Sequence, residues 1–577
     1  MSDSPGQSPT IHAMALLQKG QPAEAIAVMQ RLIALGPGVA EHHYHLSLIF
    51  ARINQREDAI RALLNATRLN PALAPAHLNL GVLLFGRGDI AAAEQSFRTA
   101  IAAGQDDEGA WRNLGKALRS QDRLDEAEQA FRTALARQPN SAEAWMMLGS
   151  VLRECGRIPE AVAATRQAIA HRPDYREAHS NLCYALYFDP RATPVEIVAE
   201  HLAWAAKFAP PLQTGPRRGL HDPIRVGYVS PYFRQHVVGM FMEPILEHHD
   251  RTQFAITCYS DTNPEDELTA RLRRTDTAWR ETLGTSDLEL AALIKADEID
   301  VLVDLTLHMR GCRLGVFAQK PAPTQITHLA YCGTSGLSQM DGCITDAHMI
   351  APGSEQGFTE TLLPLPTSYW CYQPPLHAPE VKPPPALENG YVTFGSLNSA
   401  AKGNDEVIRL WAEILRSVPR SRLIMHALGG RQPLLERFAS SGIEANRLTV
   451  VARQSLPDYF ATYNQIDIAL DPFPYNGGTT TLDALWMGVP VIALAGRLPL
   501  ARAGASILRN IKADHLIAAD TVKYLAIATA LAQDSHKLSS LRSALRNQMI
   551  ESPLLDPVRY TAELEAAYRL ATIQRTI

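Results

Sequence analysis

The strongest constraint in this 577-residue chain is a period of 34 residues in its first third. Alanine recurs at Ala25, Ala59, Ala93, Ala127 and Ala161, and a small residue at Ser47, Gly81, Gly115, Gly149 and Cys183. Proline recurs at Pro37, Pro71, Pro139 and Pro173, with Gln105 in the remaining slot. Three series sharing one period describe a stack of like units. The apolar pattern predicts two helices in each unit, such as 76–88 and 90–104. Small residues let the two helices approach closely. Large ones such as Leu80, Phe97, Leu114 and Phe131 fill the gaps, and the proline turns the chain into the next unit. One helix pair cannot bury its apolar face alone, so the units must stack. About five units are expected across residues 9–184, the first and last degenerate as caps.

The stretch WRNLGKAL (111–118), followed by Ala127, Phe131 and Pro139, resembles the tetratricopeptide repeat. Polar residues recur on the first helices at His45, Asn79, Asn113 and Asn181, interrupted by Met147. Spaced amides along a concave face either hold the backbone of an extended peptide or simply solvate an open surface. The run HHYH (42–45) sits on a helix, where adjacent residues do not face one another, so a metal is not expected there. After the repeats, 194–209 reads as one more amphipathic helix and 210–223 as a Pro/Gly-rich connection.

From residue 224 the pattern changes to short β-branched runs separated by helical segments. The expected strands are 224–230, 254–260, 299–306 and 324–331, then, past a proline-rich stretch (373–387), 391–397, 422–428, 447–453, 466–471 and 490–495. Such alternation predicts parallel sheets covered on both faces. Two series joined by a Pro-rich hinge predict two Rossmann-like domains facing a cleft, with ligands beyond the carboxyl ends of the strands. The segments to inspect are therefore 231–241 with His236, 307–315 with His308, 398–405 with Lys402, and 472–488. In the last, Asn476-Gly477-Gly478 forms a tight turn that lets backbone approach a ligand. Thr479, Thr480 and Thr481 then open a helix whose free N–H groups favour an anion. Asp483 follows and could accept from a ribose hydroxyl. A diphosphate fits this loop; so does an ordinary helix start after a glycine turn. No G-x-x-x-x-G-K-[ST] occurs and no G-x-G-x-x-G follows a strand, which disfavours an ATPase or a dinucleotide dehydrogenase.

The segments VGYVSPYFRQH (226–236), KPAPTQITHLAYCGTSG (320–336), DGCITD (341–346) and LDPFPYNGGTTTLDALWMGVPVI (470–492) resemble the O-GlcNAc transferase family. That family couples tetratricopeptide repeats to a glycosyltransferase and includes the animal nucleocytoplasmic enzyme and the plant protein SPINDLY. The resemblance implies an α-solenoid of repeats followed by a GT-B glycosyltransferase of two Rossmann-like domains, with UDP-GlcNAc in the cleft. The boundaries are then 1–184 for repeats, 185–223 for the connection, 224–372 for the first sheet domain, 373–388 for the hinge and 389–577 for the second sheet domain with terminal helices. It implies inverting transfer of GlcNAc to Ser or Thr hydroxyls of proteins, the repeats binding the substrate, with no metal or other cofactor. No Asp-x-Asp occurs from residue 224 onward, in keeping with that. By the same resemblance Lys402 contacts the diphosphate, Asn398 leads to it, Thr479 and Thr480 bind phosphate, and Asp483 binds ribose. His236 is either the general base or a positioning group, His308 lies near the sugar, and His201 lies on the helix joining repeats to the catalytic half. Gly478 stands where animal enzymes carry histidine, and Leu456 and Tyr459 where they carry a lysine and a histidine near the uridine. Ala401 replaces a tyrosine, and the animal enzyme's large insertion is absent. Because SPINDLY shares these motifs with a fucosyl donor, another nucleotide sugar stays open, as does a peptide-binding scaffold with an inactive transferase half.

Composition narrows the partners. A net charge of −5 gives no general attraction to nucleic acid or anionic membrane. No apolar run approaches a spanning helix. The opening MSDSPGQSPT has no secretory pattern, and the seven cysteines are scattered without C-x-x-C. A reducing cytoplasm is therefore expected, with neither a disulfide framework nor a structural zinc site. Exposed repeat faces can pair, so a homodimer stays open.

Overall fold

The computed structural model describes residues 9–211, 219–376, 378–427 and 431–574. Parts of the predicted linker (212–218), hinge (377) and strand 422–428 (428), with the ends 1–8 and 575–577 of the expected domains, lie outside the described residues. Helices come in pairs at the predicted period: Pro9–Gln18 with Pro22–Leu35, Ala40–Arg52 with Arg56–Leu69, Ala74–Arg87 with Ile90–Ala102, Glu108–Ser120 with Leu124–Arg137, and Ala142–Glu154 with Ile158–His171. The chain forms two compact units. One runs to Leu152 and takes in Gln167–Pro173; the other comprises Arg153–Arg166 and the described residues from Asp174.

In the first unit the periodic residues do what their sizes predict. Ala59, Ala93 and Ala127 are wholly buried. A Cβ added at Gly81 would lie 2.5 Å from the Phe97 ring, and one at Gly115 would lie 2.6 Å from the Phe131 ring. The missing side chain is thus the socket for the next helix's phenylalanine. His45, Asn79, Asn113 and Met147 are half-buried on their first helices.

The second unit begins inside the last repeat, so the compact units do not divide at 184. The reason is burial against the sheet-bearing part of the chain. Gly156 (φ +75°) leaves room for the backbone: a Cβ there would lie 2.5 Å from the Ala400 carbonyl oxygen. Arg176 pairs with Asp287 at 2.6 Å, and the Tyr187 hydroxyl accepts from the Thr334 N–H at 3.2 Å. The helices Arg176–Leu186 and Pro194–Phe208 continue the pairing, the latter started by a Thr193–Glu196 capping box.

Two parallel sheets follow. The first contains β1 (Ile224–Ser230), β2 (Phe254–Ser260), β3 (Ala278–Glu281), β4 (Val301–Asp304), β5 (Thr324–Thr327), β6 (Gly342–Asp346) and β7 (Thr361–Leu365), in the order β3-β2-β1-β4-β5-β6-β7. The second contains β8 (Thr393–Ser396), β9 (Arg422–His426), β10 (Leu448–Val451), β11 (Ile468–Leu470), β12 (Val491–Leu494) and β13 (Ile517–Ala518), in the order β10-β9-β8-β11-β12-β13. The pairings are parallel throughout. The direction of winding reverses between β1 and β4 in one sheet and between β8 and β11 in the other, creating two switch-point crevices.

Four strands escape the periodicity reading. β3 is a mostly exposed edge of four residues on which Trp279 is the one side chain packed against the core. β7 carries Pro364, tolerated because it too is an edge. β6 is a five-residue strand inside the DGCITD motif, and β13 spans two residues. β5 stops four residues early, because Leu329 turns to φ +75°. One domain assignment is corrected. The final helix, Pro557–Gln574, does not stay with the second sheet domain but crosses back to the first. There the Tyr568 and Tyr228 hydroxyls meet at 3.1 Å, Glu565 accepts from His249 at 2.8 Å, and the Tyr560 hydroxyl meets His328 Nε2 at 2.9 Å. The Pro-rich hinge is strapped down by the buried Arg542, which donates to the carbonyls of Lys382 and Ile466, each at 2.6 Å.

The glycine sockets generate a stability prediction. Gly115→Ala, which helix propensity alone would favour by about 1 kcal/mol, destabilises instead, and Gly115→Leu does so by roughly 1–3 kcal/mol. Phe131→Ala costs about 3–5 kcal/mol. Urea unfolding of the double variant Gly115→Leu/Phe131→Ala should show less than the sum of the two losses, because the added side chain enters the vacated space.

Candidate active site

The second unit holds a cleft of about 380 Å³ where the carboxyl-end loops of the two sheets converge. Asp471, just past β11, shapes its floor. The Asp471 carboxylate accepts from the Gly477 N–H at 2.7 Å and pulls the turn shut. A Cβ on Gly477 would lie 2.6–2.7 Å from Thr481 Oγ1, Asp471 Oδ1 and Thr480 Oγ1, so only glycine fits. The helix Thr479–Trp486 then starts with no side-chain cap, and Thr479 and Thr480 open into the cleft. The Thr481 N–H turns back to the Gly478 carbonyl at 3.0 Å, while the first two N–H groups, of Thr479 and Thr480, have no acceptor within the helix and carry the positive end of its dipole.

Asn398, after β8, joins this loop to Lys402. Asn398 Oδ1 accepts from Thr480 Oγ1 at 2.8 Å and from Lys402 Nζ at 3.3 Å. Lys402 Nζ also donates to the Asn476 carbonyl at 2.8 Å and lies 4.6 Å from the centre of the Tyr475 ring. Burial pulls the Lys402 ammonium down to about 8, opposed by the Asp471 charge. Burial pushes Asp471 in the other direction, upward, opposed by Lys402.

The first sheet contributes His236, which caps the helix Val237–His248. Its Nδ1 accepts from the Val238 N–H at 3.2 Å, and its ring stacks on Tyr232 with centroids 4.0 Å apart. Burial, then the Arg234 charge, lower it to about 4. The ring is therefore neutral, and because Nδ1 accepts, the hydrogen sits on Nε2.

His236, Asn398, Lys402, Asn476, Gly478, Thr479 and Thr480 thus line one cleft. The other four sequence candidates do not form its wall. Gly477 lies beneath the turn. Asp483 accepts from the hydroxyls of Tyr372 at 2.7 Å and Tyr459 at 2.9 Å, and burial raises it to about 7. His308 and His201 are wholly buried against one another, ring centroids 4.8 Å apart. Burial lowers His201 to about 4 and lowers His308 well below the ordinary histidine range.

Residues that sequence reasoning missed complete the wall. Trp370 lies 2.7 Å from where a Gly478 Cβ would stand, so the tryptophan takes the room a side chain at 478 needs. Phe188 stacks on Tyr475 at 4.7 Å, and the Arg153 guanidinium lies 5.2 Å from the Tyr184 ring. The aromatic run SYWCY (368–372) beside the hinge was the available signal for Trp370. Arg153 lies on Ala142–Glu154, Tyr184 on Arg176–Leu186 and Phe188 just past it, and these carried none.

Comparison with known proteins agrees with this architecture. The family model "Glycosyl transferase family 41" matches residues 207–373 and 385–564, and a tetratricopeptide repeat model matches 12–55, 50–108 and 112–176. The chain is 36% identical over 409 residues to the probable UDP-N-acetylglucosamine--peptide N-acetylglucosaminyltransferase SPINDLY of Solanum lycopersicum, covering 68% of this chain and 44% of that protein. The SPINDLY protein of Arabidopsis thaliana is 38% identical over 357 residues, covering 60% of this chain and 39% of that protein. The chain therefore spans less than half the length of these curated relatives. The solved structure of a mutant of the Thermobaculum terrenum O-GlcNAc transferase superposes with a TM-score of 0.82 at 35% identity, covering 87% of this chain and 98% of that one. The repeats, the two facing parallel sheets of a GT-B fold and the family model spanning both sheets lead to one conclusion: this chain belongs to glycosyl transferase family 41.

Proposed function

We propose that this chain transfers N-acetylglucosamine from UDP-GlcNAc to Ser or Thr hydroxyls of proteins, with inversion and without a metal at the cleft. The observation that carries the reading is the pairing of the Lys402 ammonium with an uncapped helix start on one cleft wall. Both supply positive potential to one spot, and a nucleoside diphosphate is the ligand whose charge fits it. Thr479, Thr480 and Lys402 hold the diphosphate, and Asn398 keeps the lysine and Thr480 in register. As the bond from the anomeric carbon to the phosphate oxygen breaks, negative charge grows on the departing UDP. Contacts that strengthen at that moment lower the barrier directly. The acceptor oxygen forms its bond on the opposite face of the sugar and loses its proton to a phosphate oxygen of the donor.

In this reading His236 is a positioning donor rather than the base. Its only lone pair is engaged with the Val238 N–H, which leaves Nε2–H to donate to sugar or acceptor. Asp483, held by Tyr372 and Tyr459, marks the ribose end of the donor, and the tyrosine pair stands in for the base contacts that animal enzymes make differently. The repeats supply a surface for the acceptor protein. No helix among the described residues is long and apolar enough to cross a membrane.

Three measurements test this. Competition among UDP-GlcNAc, GDP-fucose and UDP-glucose should rank UDP-GlcNAc first, and UDP should raise Tm. A preference for GDP-fucose would move the reading to fucosyl transfer, and no protection by any nucleotide would leave a scaffold. Lys402→Ala should lower kcat by about 10²–10³-fold, and unchanged turnover would remove the lysine from the mechanism.

His236→Gln retains an N–H donor and should keep substantially more activity than His236→Ala, with no acidic limb between pH 5 and 8 assignable to this residue. Equal loss in the two variants would point to a base.

UDP-GlcNAc affinity should depend on pH through Lys402. Only the ammonium binds the diphosphate, and burial holds its pKa in the free cleft at about 8. Affinity is therefore full below that value and falls toward tenfold per pH unit above it. Calorimetry in buffers of different ionisation enthalpy should show proton uptake on binding near pH 8.5 that disappears in Lys402→Ala.

A further inference from the structure

Behind the cleft wall lies a group of side chains with no part in the transfer described above. Cys183, His201 and His308 are all within 1% of complete burial, and one potential ligand atom from each lies within 4.8 Å of the other two. They come from three segments: the helix Arg176–Leu186, the helix Pro194–Phe208, and the loop after β4. Each imidazole has one nitrogen pinned by a backbone carbonyl. His201 Nδ1 meets the Ile197 oxygen at 2.7 Å, and His308 Nε2 meets the Ser335 oxygen at 3.3 Å. A carbonyl only accepts, so those nitrogens carry the hydrogens. The lone pairs are left on His201 Nε2 and His308 Nδ1, and both atoms are buried with no hydrogen-bond partner.

Two buried acceptors with nothing to accept from is a costly arrangement. A metal ion removes that cost. Carbonyl-held imidazoles are also how metal-binding histidines are oriented, the second nitrogen fixing tautomer and ring direction. Cys183 is a free, buried thiol that occupies the slot filled by serine or glycine in the earlier repeats. This one repeat has a sulfur where the others have none. Ring packing frames the triad, with Trp204 5.1 Å from His308 and Tyr187 5.6 Å from His201, centroid to centroid.

We propose that Cys183, His201 and His308 bind a transition-metal ion of soft or borderline character, copper(I) or zinc, through one thiolate and two neutral imidazoles. On binding, the Cys183 S–H bond gives way to a sulfur–metal bond and the proton leaves to solvent. Metal–ligand lengths of about 2.0–2.3 Å require the three side chains to draw inward slightly. A thiolate neutralises a monovalent copper ion outright, which suits apolar surroundings. Zinc keeps a net positive charge and takes a further oxygen ligand. Either ion ties the last two helices before the catalytic half to the loop that follows β4. The role is structural, whatever sugar the cleft accepts.

The test uses the full chain, purified with any affinity tag removed. Elemental analysis should find about one equivalent of zinc or copper per chain, and the element found identifies the ion. The chain stripped by chelator should have a lower Tm, recovered on adding that metal alone. Titration of the stripped chain with Co²⁺ should produce a near-ultraviolet thiolate-to-cobalt charge-transfer band. The band should be absent in Cys183→Ser and retained in Cys312→Ser, a neighbouring cysteine outside the triad. Less than about a tenth of an equivalent of metal together with no cobalt band, or a band that survives Cys183→Ser, would overturn the proposal. The wild-type measurements decide the matter by themselves if Cys183→Ser does not fold.

Discussion

The ammonium of Lys402 is withdrawn from water and, among the described residues, held by neutral oxygens, the Asn476 carbonyl and the Asn398 amide, with the Tyr475 face beside it. A buried cation with neutral partners is expensive unless an anion completes its shell. Asp471 answers part of that need through its charge, but its Oδ1 is committed to the Gly477 N–H and no hydrogen bond joins its carboxylate to the ammonium. What remains is positive potential directed into the cleft, next to a helix start with no cap of its own. Much of the local structure exists to maintain this condition. Asp471 shuts the turn, glycine at 477 permits it, and Asn398 braces lysine and threonine from the neighbouring switch loop.

Absent side chains act as construction elements in both units. In the repeats, Gly81 and Gly115 are sockets for Phe97 and Phe131. In the catalytic half, Gly156 admits the Ala400 backbone, Gly477 admits the Asp471 carboxylate, and Gly478 admits Trp370. The same reasoning accounts for a departure from the animal enzymes. A histidine at 478 and a tryptophan at 370 cannot share the space, and in this chain the tryptophan holds it.

Legibility in the sequence followed the range of the interaction. Helix pairs were readable because their 34-residue pattern repeats locally, and long buried strands such as β1 and β2 because β-branched runs mark them. Edge strands β3 and β7 were not, since an edge carries exposed residues and even proline. Lys402, Asn398 and Thr479–Thr480 were visible through loop position after a strand and through family motifs. Trp370, Tyr184, Phe188 and Arg153 were not, because each reaches the cleft from an element whose local pattern describes only packing. His201 and His308 show a contact between segments far apart in sequence. The motifs put His308 near the sugar and His201 on the connecting helix, and neither motif showed that the fold buries the two together with Cys183.

The sequence by itself determined the solenoid, the two parallel sheets, and the glycine turn with the helix start that follows β11. Each of these is written in residues close together in the chain, where helical period, glycine turns and helix starts act. Only the tertiary structure decided which loops face one cleft, that Arg153–Arg166 group with the sheet-bearing unit, and that the final helix returns to the first sheet. It also decided the protonation of His236, Lys402 and Asp483, because desolvation and hydrogen bonding depend on neighbours far away in sequence. Burial is a property of the whole fold, and no local pattern encodes it.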